Sequence, residues 1–340
     1  MDGEGRVLVW RLYGWFSGLM LCGSCFGAVA WGARMQLLVL NFSVFDNPSS
    51  TLTSAQGYSI SRTSAQIQRW LASFAVLYAM EFLCLSAAKL LVLHRMAEFA
   101  MPKGDGVPRR WVVRGRVVMA AVVAGNVVGL GGSVAAAVYF QRAAEYYIAA
   151  SAAFAANNTA DGNNFVDLAR QRFQLATSTH SVQSFCEVAV LLLIIVAFAV
   201  VGAACARRIS SALLDMTDAS DAAAGKRMQR QIVGTAAFVF VTFLLRAVYS
   251  TMFALANELQ DFSARTSCPS STFCDASCYN VYELMRLWIY YTPEFPLSVV
   301  LISSPLAMIV ALWGMTSDRT LQLMQSNQQQ MGTMRDVLLS

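Results

Sequence analysis

Charge is what this sequence has least of. Only 13% of its 340 residues are charged, about half the ~25% usual in a soluble globular domain. A soluble domain and a disordered chain are both excluded by that shortage. Histidine is also scarce: His94 and His180 are the only two, far apart in sequence, which argues against a histidine-based metal site. There is no P-loop, no HExxH and no GxSxG, nor a Ser/His/Asp grouping at membrane depth, so the chain is not read as an enzyme. No lysine falls at the middle of an apolar block, which argues against a Schiff-base chromophore, and no arginine repeats every third residue as in a voltage sensor. Pro/Ser-rich linkers, internal repeats and separate polar domains are absent too.

What is present is apolar sequence in long blocks. At 56% apolar residues, six blocks reach the ~20 residues a helix needs to cross a bilayer. They cover about 12–41, 70–93, 111–140, 182–206, 231–256 and 282–314. The fold class expected is all-α: a polytopic transmembrane bundle of six spans within one domain, 1–316, open to a GPCR-like arrangement. A tail, 317–340, carries Leu321, Met324, Met331, Met334 and Leu338 at helical spacing, which reads as an amphipathic helix on the inner surface or as a disordered Gln-rich segment.

The basic residues set an orientation. With both termini inside, 15 lysines and arginines lie on the cytoplasmic side and 7 on the other, as the positive-inside rule expects. The sequon Asn157-Asn158-Thr159 and the cysteines Cys268, Cys274 and Cys278 then fall on the outer or lumenal side, where glycosylation and disulfides form. Cys186, near the outer end of the fourth span, is the expected fourth member of that cysteine set. A cleaved signal peptide ending near Ala28-Val29-Ala30 is the rival reading of the first block. The stretch 141–181 contains an Ala-rich run after Tyr146, read as a helical extension or an interfacial helix. A turn at Asn157–Asn164 and helical spacing over Phe165–Leu175 follow it.

Ionisable groups inside spans are costly and usually face the bundle interior with a partner. Glu81, Arg246 and Glu294 lie about 10–12 residues in from the outer ends of their spans, which at ~1.5 Å per residue is a common depth. Asn126 joins that layer. Arg246 is expected to pair with Glu294, with Glu81 less well compensated; the cluster reads as a proton or cation relay, a switch, or a static register lock. Lys89 and Arg34, nearer span ends, are expected to snorkel. Pro293, Pro296 and Pro305 should kink the sixth span. Gly125 and Gly129 form a GxxxG, as do Gly14/Gly18 and Gly23/Gly27, read first as internal packing and otherwise as dimerisation.

Phe243-Leu244-Leu245-Arg246 in the fifth span, and Tyr290-Tyr291 with Glu294, Pro296 and Val299 in the sixth, resemble motifs of the plant tobamovirus-multiplication family of receptor-like membrane proteins. The resemblance covers mainly these last two spans. The sequence departs from the family pattern in an extra Pro293, a Glu–Pro spacing shorter by one, three cysteines in the outer loop and six spans instead of seven. The resemblance implies a plasma-membrane or vacuolar-type endomembrane protein acting through membrane or cytosolic protein partners, without catalysis or cofactor, with Arg246 and Glu294 structurally central. Beyond the lipid bilayer and such partners, a homo-oligomer is open and nucleic acid is not expected.

Overall fold

A computed structural model describes residues 3–45, 54–100 and 109–214, together with positions within 230–255 and 284–306. Cys268, Cys274, Cys278, Pro293, Glu294, Pro296, Pro305 and the tail lie outside the described residues. Within them the protein is all-α, with no strand. Four long helices follow one another: α1 Gly3–Phe45, α2 Ser54–Ala100, α3 Arg109–Ala155 and α4 Thr159–Leu214. A shorter apolar helix, α5, covers Phe240–Phe253. A π-helical turn spans Leu287–Tyr291, where the Thr292 hydroxyl donates to the Leu287 carbonyl at 3.0 Å.

Proline explains where the helices stop. Pro48, Pro102 and Pro108 lie between helices, and none lies inside α1–α4, as expected of a residue that lacks the N–H donor and clashes with the preceding turn. The α3–α4 connection has no proline and uses Asn157 instead. Asn157 adopts φ 59°, a left-handed conformation that asparagine tolerates better than most residues. Its N–H donates to the Phe154 carbonyl at 3.0 Å, and the Asn158 N–H donates to Ala153 at 2.9 Å. This is the Schellman pattern that satisfies the last carbonyls of a helix. Asn158 then caps α4: the Asp161 N–H donates to its Oδ1 at 3.2 Å. Replacing Asn157 with Ala is expected to cost about 1 kcal/mol in thermal unfolding, because a Cβ without a local hydrogen bond is disfavoured there, while Asn157→Gly should be neutral or better.

The helices exceed the apolar blocks from which they were expected. At ~1.5 Å per residue, the 47 residues of α2 extend about 70 Å, against a hydrocarbon core of ~30 Å. The stretch 141–181 is therefore mostly helix. Its Ala-rich run continues α3, and the expected turn shrinks to residues 156–158. Outside the apolar core, the outer ends of α2, α3 and α4 pack together on Phe154. A methyl group built on Gly57 or Gly162 would meet the Phe154 ring at 3.0 Å and 2.7 Å, so both glycines leave room for it.

Helices α1, α2, α3 and α4 pack in sequential pairs, and α2 also touches α4. The GxxxG of α3 faces inward: side chains on Gly125 and Gly129 would collide with Val190, Gln183 and Cys186 of α4. Gly23 and Gly27 of α1 lie against Cys84 and Glu81 of α2, whereas Gly14 and Gly18 have nothing nearby among the described residues. Three apolar clusters result. The inner one gathers Phe82, Val122, Leu191, Ile194, Phe198 and Phe243. An outer one is built largely of alanine, Ala72, Ala75, Ala136 and Ala176 around Phe140. The third joins Ala30 and Ala33 of α1 to Phe74 and Tyr78 of α2.

Candidate functional site: a buried charge cluster

Tyr78 and the third cluster bring the chain to its most polar interior point. Helix α5 presents Arg246, 1% exposed, and α4 presents Glu187, 2% exposed. Their Nε–Oε1 distance is 3.0 Å. The same Oε1 accepts from the Tyr78 hydroxyl at 3.1 Å and from the Ser250 hydroxyl at 2.9 Å. Arg246 Nη2 donates to the Tyr78 oxygen at 2.8 Å, and its guanidinium carbon lies 5.5 Å from the Tyr78 ring centre. One carboxylate oxygen thus ties α2, α4 and α5 together. Charge-assisted bonds of this kind are stronger than neutral ones, and their number offsets the large desolvation cost of a buried pair.

The expected partner of Arg246, Glu294, lies outside the described residues; among those described, the acid that Arg246 meets is Glu187. The sequence carried a usable signal, since Glu187 is the only charged residue between Arg172 and Arg207 apart from the neutral His180. Its position five residues into the expected fourth span put it near a block end, and it was not singled out. In the structure α4 continues past it to Thr159, so Glu187 is an interior position of a long helix. Tyr78 and Ser250 were missed because hydroxyls in apolar sequence give no signal until a charge is placed beside them.

Glu81 lies beside this network. It is 4% exposed, one turn from Tyr78, and feels Arg246, Glu187 and Lys89 electrostatically. Its carboxyl group lies against α1 at Gly27, where a methyl would sit 2.9 Å from the carboxyl carbon. Glu81 Oε2 and Arg246 Nη1 are buried with no hydrogen-bond partner among the described residues. Lys89 departs from the expected snorkelling. It is 1% exposed, with its ammonium 4.5 Å from the centre of the Phe243 ring, a cation–π arrangement. The reason is that α2 continues to Ala100, so Lys89 is about three turns inside the helix end and packed against Phe243 of α5. Two basic and two acidic side chains thus share the interior. Arg34 lies over Phe74, 5.8 Å from the ring centre.

Asn126 does not enter the network. Its amide donates to the Val122 carbonyl of its own helix at 2.7 Å. Cys186 is a free, half-buried thiol against Gly129; α4 extends 27 residues outward from it to Thr159, so it does not sit at an outer helix end as expected. Asn157 is exposed at the tip of the α3–α4 turn. Among the described residues no group of three or more His, Cys, Asp or Glu could hold a metal ion.

The fold and this cluster define an all-α protein with, among the described residues, four helices long and apolar enough to cross a membrane and a charge network that joins α2, α4 and α5. No protein-family model, no curated protein and no solved structure matches the chain.

Proposed function

We propose that this is a multi-pass integral membrane protein of receptor-like or scaffold type, acting through protein partners at a plasma or vacuolar-type membrane, with both termini cytoplasmic. The observation that supports this reading most is the single oxygen of Glu187 that holds three helices. A bundle locked by one breakable ion pair has its conformational choice concentrated at that point, which suits a protein that signals by helix rearrangement. The likeness of Phe243–Arg246 to the tobamovirus-multiplication family motif supports the same reading, because it places Arg246 at the centre.

A second reading, secondary transport, is favoured by Glu81 and Lys89, which are buried charges outside the Glu187 network. Purified protein in proteoliposomes under an imposed pH gradient separates the two. The receptor-like reading expects no protein-dependent proton flux. A flux that Glu81→Gln abolishes would establish transport in its place.

The proposed orientation puts Asn157 on the lumenal side, at an exposed turn suited to N-glycosylation. Protein expressed in a eukaryotic membrane should lose apparent mass on treatment with a peptide N-glycosidase. That shift should vanish in both Asn157→Gln and Thr159→Ala, and a shift that survives both would exclude this site.

A further inference from the structure

We propose that Glu81 is a proton-binding site, occupied in the arrangement seen here and emptied by a rearrangement of Arg246. This inference stands whether the protein signals or transports, since it concerns where one proton resides.

The two acids of the cluster are not equivalent. Glu187 receives three donors on one oxygen, the environment of an ionised carboxylate. Glu81 is equally buried, yet its Oε2 has no donor among the described residues. An ionised carboxylate with a buried oxygen that no donor satisfies is costly for a protein to hold, whereas the neutral acid loses far less on burial. The carboxyl group also lies flat on α1: its carbon and both oxygens come within 2.9–3.2 Å of a methyl built on Gly27. A neutral carboxyl tolerates that close approach to a helix backbone; an ionised one needs a cation.

The groups around Glu81 name that cation. From α1 it meets Gly27, which bears no charge; the nearest described charge on that helix, Arg34, is occupied over Phe74. From α2 come Tyr78 and Lys89, from α4 Glu187, and from α5 Arg246. Tyr78 is engaged with Glu187 and Arg246, and Lys89 sits on the Phe243 ring. Arg246 alone in this set has a buried donor, Nη1, without a partner among the described residues. The proton leaves the Glu81 carboxyl for water, Nη1 turns to the carboxylate, and the geometry at Tyr78 and Glu187 must change with it. Proton occupancy at Glu81 is thereby coupled to the bond that ties α2, α4 and α5.

Infrared difference spectra of the purified full chain in lipid nanodiscs, titrated with pH, test this. Wild type should show a protonated-carboxyl C=O band that disappears as pH rises and that is missing from Glu81→Gln at every pH. A Gly27→Ala variant, which pushes a methyl into the carboxyl, should move the midpoint of that band by about one pH unit, a tenfold change in proton affinity. A wild-type spectrum identical to that of Glu81→Gln at all pH values would overturn the proposal. Should Glu81→Gln not be recovered folded, Glu81→Asp serves: its shorter side chain leaves Gly27, and an unchanged band would equally overturn it.

Discussion

Arg246→Leu is expected to destabilise the protein by about 3–5 kcal/mol, the usual cost of removing one member of a buried ion pair. The substitution leaves Glu187 charged inside the bundle with, among the described residues, two hydroxyls, those of Tyr78 and Ser250, donating to it. Thermal unfolding in detergent should show a large drop in midpoint, and yield from membranes should fall. The partner is identified by rescue. Glu187→Leu in the same chain removes the orphaned charge, and replacing a buried pair with apolar residues is often neutral or better. Recovery should be partial, since Tyr78 and Ser250 then lose an acceptor at a cost of about 1–3 kcal/mol each. Rescue by Glu294→Leu and not by Glu187→Leu would refute the pairing seen in the structure. Wild-type stability of Arg246→Leu would remove the network from any structural role.

The fold class was legible in composition alone, because a chain with so little charge and so many long apolar blocks has few stable forms other than a helical bundle in lipid. Helix length was not legible. A hydropathy block ends where polar residues begin, but Ala-rich sequence such as Tyr146–Ala155 continues a helix past such an end without any apolar requirement, and tertiary packing on Phe154 holds it there. The charge layer was half legible. Arg246 and Glu81 stood out by depth, and their nearness in the structure follows from it. The identity of the partner did not, since depth measured from block ends carries the error of those ends. Glu187 and Lys89 both lie close to a block end and deep inside a helix; for that reason Lys89 was expected at the surface and Glu187 was not singled out. The three outer-loop cysteines and Glu294 lie outside the described residues, so the readings attached to them remain sequence readings.

The α3–α4 contact gives the other large effect, and three glycines of α3, two inside the contact and one outside it, provide their own controls. Gly125→Leu is expected to lose about 1–3 kcal/mol or more, the range for forcing volume into a packed interface, and to lower the thermal midpoint well below wild type. The reason lies in what the new side chain meets. Even a single methyl at Gly125 would come 2.7 Å from Val190 Cγ2, and valine in a helix has one strongly preferred rotamer, so it cannot swing aside. Gly129 faces the far end of Gln183, which can turn away, and the Cys186 Cβ at 3.2 Å, which can give only slightly. Gly129→Ala should therefore cost less than Gly125→Ala. Gly131 meets nothing within 4 Å, so Gly131→Ala should be neutral or gain up to about 1 kcal/mol from helix propensity. Val190→Ala should restore Gly125→Ala by vacating the space. The order 125, 129, 131 separates internal packing from dimerisation. If these glycines served contact between two copies of the chain, Gly131 would be as sensitive as Gly125, and Val190→Ala would rescue nothing. Equal losses at all three positions, accompanied by a change in oligomeric state on size exclusion, would move the α3 glycines from the bundle interior to an interface between copies.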